Sequence, residues 1–289
     1  MAKNVNEDYP AKKMVASADE LKARALANYE GETAKTHDFP TEVIDLPSRG
    51  LIYAEDSTLR SGKVELKYMT AKEEDILTTQ SYIKQGVVLD KLFQSLIISN
   101  GKGERVKYSE LLLGDKNAIM IAVRVLGYGK EYPITITNPS GEKQKEVIDL
   151  SQIPEKEVDL ELFKLGINNF SFTLPASKRV VTFKFLTHGD EPNIEAEIKA
   201  AKKFAKGIDT TLSTRLTYAI QSVDGEADRM KIRKFVQNEL LALDSRALRS
   251  YMRNIQPDID TTLVLEDSST GEDFEMELPI GTDFFWPGA

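Results

Sequence analysis

Apolar positions along the chain recur in two periods, and the switches between them mark out the elements. In "GKVELKYM", Val64, Leu66 and Tyr68 alternate with Lys63, Glu65 and Lys67, the period-two pattern of a half-exposed strand. Just before it, "TEVIDLPSRGLIY" predicts a short strand through Val43, Ile44 and Leu46, a turn over Pro47 to Gly50, and a return over Leu51 to Tyr53. "TAKEEDILTTQSYIKQG" opens on a capping box, Thr70 with Glu73, and stops at Gly86, and "LDKLFQSLI" extends this helical region. "GDKNAIMIAVRVLGYG" is apolar around most of its circumference, which predicts a buried central helix with Asp115 as its N-cap.

The middle of the chain changes period. "EYPITITNPSGEKQKEVIDL" reads as two strands around the turn Asn138-Pro139-Ser140-Gly141. "FSFTLP" and "RVVTFKFL" add further strands, with Val181, Phe183 and Phe185 on one face. Helical periodicity returns near Ile194 in four blocks: "NIEAEIKAAKKFAKG", "TTLSTRLTYAIQSVDG", "DRMKIRKFVQNELLAL" and "DSRALRSYMRNI". The last should be capped by Asp244 and is closed by Pro257. "TTLVLEDSSTGEDFEMELPI" is a final hairpin, turning at Ser268 to Gly271. Hairpins beside helical blocks predict an α+β fold, mixed helices with several antiparallel β-hairpins. The first forty residues are polar apart from "SADELKARALANYEG", where Ser17 and Glu20 make a capping box and Leu21, Ala25 and Tyr29 a thin apolar stripe. The expected division is a polar N-terminal arm, 1–40, and an α+β body, 41–289. Within the body, 41–130 is mainly helical, 131–190 β-rich, 191–257 helical, and 258–289 a hairpin with an aromatic tail.

Composition narrows what such a body can do. A hydrophobic content of 41% with 29% charged residues is the profile of a folded soluble protein. The net charge of -8 argues against a general nucleic-acid binder, because counterion release at phosphates needs a basic surface. Absence of cysteine excludes disulfides, thiolate metal sites and cysteine nucleophiles, and it fits a reducing compartment. "MAKNVNEDYP" lacks the apolar core of a signal peptide, and no apolar run approaches the ~20 residues of a membrane span, so a cytoplasmic product is expected. No phosphate-binding loop or dinucleotide fingerprint occurs. The expectation is a protein that is not an enzyme, with no catalytic residues, cofactor or metal.

Four features remain as candidate chemistry. His188, Asp190 and Glu191 in "LTHGDEP" could make the metal or acid/base cluster of a hydrolase, although the plainer reading is a solvated loop leading into a helix. Arg229, Lys231, Arg233 and Lys234, followed by Arg246, Arg249 and Arg253, could form a nucleic-acid face over 229–253, or a solvated surface of paired charges. From Asp258 to Ala289 there are nine acidic residues and no Lys or Arg, a segregation suited to complementarity within one molecule or between subunits. Finally, "GTDFFWPGA" places the only tryptophan directly after two phenylalanines. Phe284, Phe285 and Trp286 could each bury roughly 150–250 Å², worth on the order of 10 kcal/mol together. They need a groove, in the chain's own body or on another subunit. The candidate partner-binding residues are these three aromatics as anchors and Arg246, Arg249 and Arg253 as orienting charges.

Taken together, "DLPSRGLIY", "MTAKEEDIL", "VRVLGYGKEYPITI", "LALDSRALRSYMRNIQPDID" and "MELPIGTDFFWP", in that order over residues 40 to 289, resemble the baseplate hub proteins of T4-like contractile-tailed bacteriophages. The resemblance implies a non-enzymatic component or assembly factor of the central hub. Its partners would be other hub and tail proteins, in a homo- or hetero-oligomer. Its setting would be the infected bacterium's cytoplasm and the virion. Members of the family often carry cysteine pairs at the two hairpin turns, as a four-cysteine zinc ribbon requires. Here the turns read Asn138 to Gly141 and Asp267 to Gly271. The implied arrangement is two hairpins resembling a degenerate zinc ribbon that packs without metal.

Overall fold

The computed structural model describes residues 39–204, 209–280 and 284–285. The helix expected within 17–31 and Trp286 lie outside the described residues. Alternation decides the first sheet, in which β1 (Thr41–Asp45), β2 (Lys63–Lys67) and β3 (Ile97–Ser99) pair antiparallel in that order. The return strand expected over Leu51 to Tyr53 does not form. Local bonds replace it: Arg49 N donates to Leu46 O and Leu51 N to Ser48 O, through a left-handed Gly50 at φ 75°. With that backbone curled, β1 takes β2 as its partner.

Three short helices follow: α1 (Ala71–Thr78), α2 (Gln80–Gln85) and α3 (Val88–Leu96). The capping box is formed, with Thr70 N and Oγ1 donating to the Glu73 carboxylate at 3.1 and 2.7 Å. Burial alone would raise the Glu73 carboxyl, but Lys67 at 2.7 Å, Thr70 and Ser95 together lower it to about 2. The single helix expected over 70–86 breaks at an extended Thr79. The hydroxyls of Thr78 and Thr79 turn back to the carbonyls of Glu74 and Asp75, where they compete with the helical ladder.

Helix α4 (Leu113–Tyr128) is the central helix, burying Ala118, Ile119, Ile121, Ala122, Val123 and Val125. It also buries Arg124, whose guanidinium donates to Gly129 O and Glu131 O and lies over the rings of Tyr128 and Tyr132. The start of α4 packs so closely on the chain at Pro257 that a Cβ on Gly114 would sit 2.0 Å from Pro257 O. Gly114→Ala is therefore expected to cost about 3 kcal/mol of unfolding free energy, read as a lower urea midpoint.

The second half is built from hairpins and four helices. β4 (Glu131–Thr137) pairs with β5 (Lys143–Asp149) around the expected Asn138 to Gly141 turn. β6 (Phe170–Thr173), β7 (Val180–Phe183) and β8 (Ile220–Val223) form an antiparallel sheet. The helices are α5 (Glu191–Phe204), α6 (Thr211–Ala219), α7 (Arg229–Asn238) and α8 (Ala242–Ile255). β9 (Thr262–Glu266) and β10 (Asp273–Glu277) make the last hairpin. The block expected to be helical through Gly225 stops at Ala219. Buried Ile220 and Val223 pair with Phe183 and Val181 as β8, so tertiary packing overrides the helical period. The architecture is α+β, as the sequence predicts, and one apolar cluster runs from Ile44 to Phe285.

Two capping expectations are corrected. Asp115 and Asp244 lie in the first turns of α4 and α8, whose N-caps are Leu112 and Leu241. Each carboxylate turns away from its own helix to hold a distant segment. Asp115 accepts from Ser48 N, Ser48 Oγ and Tyr53 Oη at 2.9, 2.6 and 2.7 Å. Asp244 accepts from the backbone N–H groups of Ala176 and Ser177 at 2.7 and 3.0 Å. Both stay within reach of the helix N-terminal dipole, which favours a carboxylate without requiring the capping position.

Candidate docking surfaces

The C-terminal phenylalanines lie in the chain's own core. Phe284 meets Tyr132 edge-on at 5.1 Å, Phe285 meets Phe93 at 6.0 Å, and the two rings meet each other at 5.0 Å. Both are buried. The approach to them is fixed by Leu278 N, which donates to Thr261 O, and by Tyr132 Oη, which donates to Pro279 O at 2.8 Å. For these two residues the groove is in cis, and a partner would have to displace them to use them.

The arginines of α8 are placed differently. Arg246 and Arg253 are exposed and Arg249 is half-buried. Arg249 Nε reaches only Ser245 O of its own helix, at 3.3 Å. Among the described residues none of the three enters an ion pair. Arg249 and Arg253 border a cleft of about 500 Å³ between α8, α6 and the chain at 258–262, with Leu212, Leu216 and Met252 as apolar wall. Lys156 joins them from a remote loop and donates to the carbonyls of Arg253 and Gln256, which end α8. Burial lowers its pKa, against the opposing pull of the Asp258 charge and of the helix C-terminal carbonyls, which favour the ammonium. The role of Lys156 had no signal in the sequence, since its acceptors are about a hundred residues away.

The cations of α7 are engaged inside the molecule. Arg233 makes a bidentate pair with Glu197 of α5 at 2.6 and 3.0 Å, and Lys231 pairs with Glu226 at 2.6 Å. Lys234 approaches Glu239 at 3.9 Å, and Arg229 donates to Ile220 O and Thr217 O. The basic run 229–253 thus divides into a helix whose cations are engaged within the molecule and one whose arginines enter no ion pair among the described residues.

His188, Asp190 and Glu191 do not converge. Asp190 is held by Lys184 at 2.8 Å and by Thr187, and Glu191 takes both guanidinium nitrogens of Arg215. The His188 ring lies tilted against Tyr108 at 4.4 Å and faces Lys116 and Asp90, and burial followed by the Lys116 charge lowers its pKa. Each residue serves a different neighbour. The two hairpin turns do meet: Asn138 Nδ2 donates to Asp267 Oδ1 at 2.9 Å, Ser140 Oγ to Asp267 Oδ2 at 2.8 Å, and Ser269 Oγ to Glu142 at 2.8 Å. Among the described residues no group of three or more His, Cys, Asp or Glu is placed to hold a metal ion.

Fold and surfaces together define an α+β protein with a cleft bordered by arginines that enter no ion pair among the described residues. A family model described as T4 bacteriophage base plate protein matches residues 52–286, and the chain belongs to that family. No curated protein and no solved structure matches it. Membership carries a structural role in a bacteriophage baseplate, in the virion tail, among other tail and baseplate proteins. No helix among the described residues is long and apolar enough to cross a membrane.

Proposed function

We propose that the chain is a component or assembly factor of the central hub of a contractile-tail baseplate. It is made late in infection in the host cytoplasm and acts through protein contacts rather than catalysis. Its polar arm, 1–40, is a separable element beside the body. The observation that carries this reading is the α8 surface, where Arg246, Arg249 and Arg253 have no ion-pair partner among the described residues beside an open apolar-walled cleft. Unpaired arginines beside apolar surface suit protein interfaces, where arginine is enriched and a planar guanidinium orients a carboxylate. Trp286, next to the docked phenylalanines, is the remaining candidate anchor.

The test is genetic and visual. A phage whose copy of this gene is disrupted is expected to yield full heads and tails that lack complete baseplates in electron micrographs of lysates. Plasmid-borne wild-type protein should restore them. Normal tails with a defect confined to replication or lysis would overturn the proposal.

A further inference from the structure

The segregation of charge along the sequence is left unresolved inside the molecule. Among the described residues no ion pair joins Arg246, Arg249 or Arg253 to any acid of 258–280. Several of those acids have inner partners: Asp258 takes Asn117, Asp267 the opposite turn, and Glu277 the Thr261 hydroxyl. Among the described residues Glu266, Asp273 and Glu275 have none for their carboxylates. The β9–β10 register puts Glu266 opposite Asp273 and Val264 opposite Glu275 on the outer face, and Val264 is 63% exposed. Like charges directly across a hairpin repel, and a cation from outside relieves them.

We infer that the α8 cleft and its arginines receive the outer face of the β9–β10 hairpin of a second copy of this chain. Resting on the reading of α8 as a contact surface, this assignment names its partner. Val264 is the apolar centre of a ring of carboxylates. Facing it, the cleft offers Arg249 and Arg253 beside Leu212, itself 48% exposed, and α8 continues into Arg246 and an exposed Leu243. Apolar meets apolar at the centre, and each carboxylate finds a guanidinium at the rim. The two patches adjoin, because Thr262 and Glu277 of the hairpin also border the cleft. A single two-fold axis can therefore satisfy both, each copy lending its hairpin to the other's α8.

The test is sedimentation equilibrium of the purified full chain with two charge-reversed variants, Arg249→Glu/Arg253→Glu and Glu266→Arg/Glu275→Arg. All four positions are on the surface or partly exposed, and unchanged melting temperatures check that folding is intact. Wild type is expected to dimerise at low salt and to dissociate near 1 M salt, where the Debye length is about 3 Å. Each variant alone should dimerise roughly tenfold or more weakly, because like charges then face each other. An equimolar mixture should recover a 1:1 heterodimer, since both contacts become complementary again. A monomeric wild type, variants that associate as wild type does, or a mixture that fails to pair would each overturn the self-contact. If wild type is monomeric yet the α8 reversal abolishes baseplates in infected cells, a different tail protein occupies the cleft. The contact reading then stands without the self-contact. If wild type dimerises as described but gene disruption leaves baseplates intact, the hub proposal fails and the self-contact stands.

Discussion

Phe284→Ala and Phe285→Ala are each expected to lower the unfolding free energy by about 3–5 kcal/mol, although both lie within six residues of the chain end. Terminal residues usually fray, and their truncation usually costs little. Here the rings fill the space between α3 and β4, touching Phe93 and Tyr132 edge-on, and their removal leaves a cavity under the central packing. Because the two rings touch at 5.0 Å, the double variant should cost less than the sum of the singles. Urea unfolding followed by circular dichroism gives the magnitude. Full stability in both variants, with baseplate assembly lost, would mean that these rings serve a partner rather than the core.

The same contrast shows which parts of the molecule were legible beforehand. The Thr70–Glu73 capping box, the Asn138 to Gly141 turn and the strands on either side of it were readable because each signal is complete within a few residues. Asp115 and Asp244 fit the local pattern of a cap, yet their partners lie 67 and 68 residues away, beyond any local pattern. The β8 strand depends on β7 some forty residues earlier, and its apolar residues fit either period when read alone. In the candidate site, the spacing of Arg246, Arg249 and Arg253 placed them near one another on one helix. Which cations were already spent was invisible, since Glu197, the partner of Arg233, comes from a different helix. The cleft itself is assembled from α6, α8 and the 258–262 segment, so no single stretch announces it.

Asp115→Asn is expected to flatten the stability profile between about pH 4 and 6, and Asp115→Ala to cost about 3 kcal/mol at neutral pH. Burial pushes the Asp115 carboxyl up to about 6 from its ordinary 3.8, against the lowering effect of Ser48 and Tyr53, with the Asp258 charge adding to the rise. The folded state therefore holds a proton that the unfolded chain has released between those two values. Stability from this group is full below about pH 4 and declines as pH rises through about 6, by about 3 kcal/mol in all. Glu73 acts with the opposite sign in a lower window: its carboxyl sits at about 2, so its contribution is present above its ordinary 4.5 and is lost as pH falls toward 2. These two groups by themselves place maximal stability near pH 4 to 5. Asparagine imitates the protonated Asp115, because the hydroxyls of Ser48 and Tyr53 can each turn to accept from its amide. Alanine instead strands the Ser48 N–H and both hydroxyls in the core at the point where the Ser48 to Tyr53 turn is fastened to α4. Melting temperatures of the three proteins from pH 4 to 7 separate the cases. A wild-type profile as flat as that of the asparagine variant would show that Asp115 is ionised at no cost, and that the turn is held by packing alone.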